Sequence, residues 1–215
     1  MQDASEHEVE IPIAGATLPG LLAVPSTSTG VVLFAHGSAS SRLSPRNRAV
    51  AQVLNAAGMG TLLFDLLTPS EASDRANVFD VELLASRLLA ATSCLDGWAD
   101  CRALPVGYFG ASTGAAAALI ASGDLGGAIA AVVSRGGRPD LAGDRLERVQ
   151  APTLLIVGGA DPQVLELNRQ AQARMRCETS LQVIPGATHL FEEPGALDVV
   201  ARLAAGWFAR HLRRG

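Results

Sequence analysis

Charge, aromatic rings and cysteine are all scarce in this chain. Charged residues fill 18% of its 215 positions and aromatics 4%, so the interior has to be built from Ala, Leu, Val and Ile. Seventeen basic residues stand against 21 acidic ones, a net charge of −4, with no long run of either sign before Arg210, Arg213 and Arg214. That balance excludes nucleic acid as an expected partner, and the closing arginines read as the dipole-matching end of a last helix. No apolar run approaches the roughly 20 residues that cross a bilayer. The acidic start, Met-Gln-Asp-Ala-Ser-Glu-His-Glu, has no basic segment followed by an apolar one, so the expectation is a cytoplasmic protein without membrane contact. Cys94, Cys101 and Cys177 are an odd number of thiols and imply no disulfide framework. Further ligands near Cys94 and Cys101 are not found, so no metal is expected.

What is present is hydrophobic. Such residues make up 48% of the chain, and the length fits one domain over 1–215 with a sizeable core. Residues 7–13 alternate polar and apolar, turn at Ala-Gly-Ala and resume at 17–24, which predicts an opening hairpin, with Pro12 and Pro19 suited to edge strands. Residues 31–35, Val-Val-Leu-Phe-Ala, are continuously apolar, as in a strand covered on both faces. Further strands are predicted at 61–64, 104–111, 128–134, 153–157 and 181–184. Helices are predicted at 44–57, 78–92, 113–122, 162–175 and 195–212. Residues 66–77 read as a loop. Strands alternating with helices call for right-handed crossovers and a mostly parallel sheet with helices on both faces, in which ligands bind at the carboxyl ends of the strands.

The stretch 104–122, Leu-Pro-Val-Gly-Tyr-Phe-Gly-Ala-Ser-Thr-Gly followed by an alanine-rich run, goes from strand to helix at Ser112. Gly110, Ser112 and Gly114 give the spacing G-x-S-x-G, which forces the serine into a strained turn so that its hydroxyl stands clear of the sheet. The helix start aims amide N–H groups at the place where an oxyanion would form. A serine hydroxyl needs a base and a group that orients the base. His189 and Asp161 lie downstream at predicted strand ends, in the order Ser, Asp, His. His7 falls in the hairpin and His211 in the last helix. His36 also ends a strand, but its place before Gly37 suits bracing a loop better than acting as a base. Asp65, Asp140, Asp144 and Asp198 are rivals to Asp161, which is preferred because it follows the Gly-Gly pair that lets a strand end turn sharply. The expected oxyanion donors are the backbone N–H groups of Thr113 and Ser38. His36, Gly37, Arg42, Arg135 and Arg138 lie in loops on the same face. The arginines could pair with a substrate carboxylate or equally with Asp140, Asp144 or solvent.

Phe-Ala-His-Gly-Ser, Gly-Ala-Ser-Thr-Gly, Gly-Gly-Ala-Asp-Pro-Gln-Val and Gly-Ala-Thr-His-Leu-Phe, in this order, resemble the α/β-hydrolase superfamily and its dienelactone-hydrolase-like branch. The resemblance spans nearly the whole chain. It implies a sheet of about eight strands with the second antiparallel, Ser112 as nucleophile, Asp161 as orienting acid, His189 as base, and no cofactor. Dienelactone hydrolases proper carry a cysteine nucleophile where this chain has Ser112, so their lactone substrate does not carry over. The segment between Ser134 and Thr153 is too short for a lid domain. The implied activity is cleavage of small carboxylic esters, thioesters or lactones. An acyltransferase or perhydrolase on the same site, or a non-catalytic binding protein on this fold, stays open at this point.

Overall fold

The computed structural model describes residues 6–38 and 40–213; the acidic start at 1–5 and Arg214 lie outside them. The alternation at the start forms the expected hairpin, β1 (His7–Ile13) paired antiparallel with β2 (Ala16–Ala23). Six strands follow: β3 (Val31–Ala35), β4 (Gly60–Phe64), β5 (Val106–Ala111), β6 (Ile129–Arg135), β7 (Thr153–Gly158) and β8 (Thr179–Ile184). They make one open sheet in the order β1-β2-β4-β3-β5-β6-β7-β8. β2 runs antiparallel to β4, and every later pair is parallel.

β3 and β4 are buried at every position, which is why they carry no polar alternation. Their two faces are covered by different helices. On one side α1 (Pro45–Ala56) and α7 (Ala196–His211) bring Val50, Leu54, Val200, Ala204 and Phe208 onto Val32, Phe34 and Phe109. On the other side α4 (Val81–Cys94) and α5 (Thr113–Leu125) lay Leu84, Leu88 and Ala117 to Ala121 against Leu33, Leu62 and Tyr108. Ala115 to Ala118 are wholly buried; their small side chains let α5 run close under the sheet. α6 (Pro162–Arg174) packs beyond α5, and a broken 3-10 segment covers Pro139–Arg148. Among the described residues no helix is long and apolar enough to cross a membrane.

Two expectations need correction. The segment 66–77 is not a plain loop: it contains α2 (Pro69–Ala72) and α3 (Arg75–Phe79). The cause is local, because the Thr68 hydroxyl accepts from the Glu71 N–H while the Glu71 carboxylate accepts from the Thr68 N–H, a reciprocal cap that nucleates a turn. Pro19 does not lie on an edge strand either, since β2 sits between β1 and β4. The β2–β4 ladder begins only at Gly20, and the Pro19 carbonyl accepts from the Asp65 N–H. The ring nitrogen therefore faces the side where pairing has stopped, and no ladder bond is lost. Pro12 does lie on an edge strand, β1.

Candidate active site

Ser112 joins β5 to α5 with φ 52° and ψ −122°, a conformation that costs a residue with a side chain on the order of 1–3 kcal/mol. Backbone bonds hold it there. Its N–H donates to the Arg135 carbonyl at 3.3 Å, and its carbonyl accepts from the N–H groups of Ala115 and Arg138, each at 3.1 Å. The side chain is half-buried, and among the described residues its hydroxyl has no hydrogen-bond partner. Thr113 opens α5, so its N–H belongs to the turn that has no intrahelical acceptor.

Asp161 and His189 come together at the carboxyl ends of β7 and β8. Asp161 caps α6: one carboxylate oxygen accepts from the Val164 N–H at 3.4 Å, and the other accepts from His189 Nδ1–H at 2.9 Å. With Nδ1 committed to the carboxylate, Nε2 is the ring nitrogen left to act on a substrate. The loop that carries His189 is fixed by the Thr188 N–H, which donates to Glu193 at 3.0 Å; hydrogen bonding from the Thr188 side chain first, and from main-chain N–H groups after it, holds the Glu193 carboxyl below its usual range. A Cβ built on Gly136, the residue after β6, would lie 3.6 Å from the His189 ring and 3.0 Å from its carbonyl. Gly136 follows Arg135, whose carbonyl binds the Ser112 N–H, so one short turn connects the serine and histidine loops.

The rival carboxylates have other partners. Asp65 pairs with Arg42, Asp140 with Arg138 and Asp144 with Arg174, while Asp198 lies in the first turn of α7. His7 is exposed in β1, and His211 lies 3.9 Å from Glu178.

The turn after β3 lies against the elbow. A Cβ at Gly37 would sit 2.9 Å from Ser112 Cβ, so this approach requires glycine. The Ser38 N–H donates to Thr113 Oγ1 at 3.2 Å, which puts it beside the helix start while occupying it with the threonine hydroxyl. His36 ties the turn to the end of β4: its Nδ1–H donates to the Gly37 carbonyl at 3.0 Å, and its Nε2 accepts from the Leu66 N–H at 3.1 Å. The bond accepted at Nε2 needs the neutral ring, and burial pushes the His36 pKa below the ordinary histidine value of 6.5. As pH falls, the unfolded chain therefore takes up this proton before the folded one does. The contribution to stability is complete above about 6.5 and is lost as pH falls through the lower folded value. Denaturant midpoints followed from pH 7.5 to 5 should fall more steeply for the wild type than for His36→Gln. Parallel slopes would remove His36 as the source.

The arginines behave differently from one another. Arg42 donates through its main-chain N–H and its guanidinium to Asp65, and Arg138 makes a two-pronged contact with Asp140 at 2.9 and 2.8 Å. Both side chains are thus paired with carboxylates of the chain itself. Arg135 is buried, with Nε and Nη1 unpartnered among the described residues. Burial, helped by the nearby charge of Arg46, pulls its pKa down to about 10, so it still carries charge at neutral pH. A cavity of about 610 Å3 opens along the turn after β3, lined among others by His36, Gly37 and Ser38 and by Leu67, Val78 and Leu84. The apolar part of this wall was not recognisable from the chain, because it comes from segments that meet only in the fold.

No protein-family model matches the chain. Two curated Mycobacterium tuberculosis proteins, each named provisionally as a phosphoribosyl transferase, are 60% identical to it over 207 residues, 96% of this chain. The chain spans about half the length of these relatives, 47%. Among solved structures, a dienelactone hydrolase from Anabaena variabilis superposes with a TM-score of 0.95 at 52% identity, covering 99% of this chain and 100% of the other. The Butyrivibrio proteoclasticus protein Est1E gives a TM-score of 0.81 at 16% identity over 95% of this chain and 98% of its own, a likeness of fold.

Proposed function

The chain belongs to the dienelactone-hydrolase-like branch of the α/β-hydrolases, and from that premise we propose that it is a serine hydrolase that cleaves small carboxylic esters, thioesters or lactones through an acyl-enzyme. The observation that carries this reading is the His189–Asp161 bond at 2.9 Å, together with a serine held in a strained elbow whose N–H binds the carbonyl of Arg135, next to the glycine that packs on His189. Ser112 Oγ attacks the carbonyl carbon while His189 Nε2 takes the hydroxyl proton, and Asp161 stabilises the imidazolium that results. The carbonyl oxygen becomes an oxyanion, met by the Thr113 N–H at the head of α5 and by the Ser38 N–H. The Ser38 donor must leave Thr113 Oγ1 or share with it, so Thr113 contributes a backbone donor and a side chain that holds the second donor in place beforehand. His189 then gives its proton to the leaving oxygen or sulfur. Water, activated by the same imidazole, releases the acid.

The name given to the Mycobacterium tuberculosis relatives describes proteins about half of which this chain spans; we read the hydrolytic site as belonging to the shared half. Asp161→Asn tests the arrangement, because an amide can hold the ring but cannot stabilise its charge. On 4-nitrophenyl esters kcat should fall by about 10³- to 10⁴-fold with KM little changed. A loss within tenfold would mean that Asp161 does not serve the base.

A further inference from the structure

The cavity beside the oxyanion turn is larger than a small acyl group needs. Its volume of about 610 Å3 lies within the range of sites that enclose whole small molecules, roughly 300–1,000 Å3. Leu67 and Leu84 are buried in its wall, and α2 and α3 roof it with Ala72 and Val78. The charged residues that line it, Arg42 and Asp65, neutralise each other, and both ring nitrogens of His36 are already bonded. The wall thus offers apolar area and shape, with no uncompensated charge for an anionic group.

The sheet order says which arm of a substrate goes there. The cavity lies on the β3–β4 side of Ser112, whereas His189 follows β8 on the opposite side, with β5 between them. The leaving group has to face His189 to receive its proton. The acyl arm of a carbonyl seated at Thr113 and Ser38 therefore points the other way, past Gly37 and Ser38.

We propose that this cavity is the acyl subsite, and that the substrates are esters of uncharged apolar acids about as large as a hexanoyl or phenylbutanoyl group. The substrate assignment rests on the hydrolase reading, but occupancy of the cavity can be measured without it. In a series of 4-nitrophenyl esters, kcat/KM should rise from acetyl to hexanoyl and 4-phenylbutanoyl by tenfold or more, since each buried methylene is worth about fourfold. A succinyl ester, similar in reach but charged, should gain nothing over acetyl. Ala72→Trp, on a short exposed helix, and Val78→Trp fill the space and should lower the hexanoyl-to-acetyl ratio by about tenfold. Separately, 4-phenyl-2-butanone should bind to Ser112→Ala protein, followed by ligand-observed NMR, and should lose that binding when Ala72→Trp is added. An acetyl ester turned over as well as the hexanoyl ester, a ratio unmoved by both tryptophans, or ketone binding indifferent to Ala72→Trp would each overturn the subsite. Absence of all ester cleavage would count against the hydrolase reading, and the ketone experiment would still decide whether the cavity takes an apolar arm.

Discussion

Replacing Ser112 with alanine should lower kcat for ester hydrolysis by about 10⁴- to 10⁶-fold, the scale on which removing an activated nucleophile acts. The loss should be purely chemical. Alanine carries the same Cβ at φ 52°, so the elbow keeps its conformation, and the bonds from Ala115, Arg138 and Arg135 involve only main-chain atoms. The Ser112 hydroxyl makes no hydrogen bond among the described residues, so nothing buried is left unpaired. Circular dichroism and the denaturation midpoint should match the wild type. Turnover retained within a hundredfold would place the nucleophile elsewhere.

The second large effect is on stability and comes from a single methyl group. A Cβ at Gly114 would lie 2.1 Å from the Ala35 carbonyl oxygen and 2.5 Å from that of His36. Both are backbone atoms, of β3 and of the turn after it, and neither can swing aside as a side chain would. Gly114→Ala therefore has to push the start of α5 off the sheet and away from the turn. The expected loss is about 4 kcal/mol or more, in the range that marks disruption of a core. Set against a total of about 5–15 kcal/mol, that is a large share of the whole stability. Gly206→Ala is the matched control: it lies inside α7 with no atom within 4 Å of a new Cβ, and it should be neutral or gain up to about 1 kcal/mol. Urea unfolding of the pair separates a steric from a general glycine effect, and a loss below 1 kcal/mol at Gly114 would contradict the packing described.

Much of this architecture is legible in the chain because its signals are local. The elbow needs a strand, a five-residue pattern and small residues after it, and all three occur within 104–122. The buried strands β3 and β4 declare themselves as short apolar runs, since both of their faces are covered. The ends of β7 and β8 are marked by Gly158-Gly159 and Pro185-Gly186, which put Asp161 and His189 in turns on the correct edge. Part of what escaped was also local. Thr68-Pro69-Ser70-Glu71 carries the capping pattern that makes α2, hidden by a composition that otherwise reads as loop. The rest was tertiary. Arg42 finds Asp65 only because β3 and β4 are neighbours in the sheet. Arg138 pairs with Asp140 two residues on, one of the partners the chain itself had offered. That Ser38 donates to the Thr113 hydroxyl depends on a contact across 75 residues, and no pattern in either segment announces it.

The central claim is that Ser112 is a nucleophile activated by His189, and a fluorophosphonate probe with peptide mapping tests it most directly. The probe phosphonylates a serine only where a base has taken its proton, and it does so whatever the natural acyl group is. Labelling should be stoichiometric on the peptide that carries Ser112, with none in Ser112→Ala or His189→Ala protein of native fold. Folded wild-type protein that stays unlabelled, or is labelled equally in His189→Ala, would contradict it.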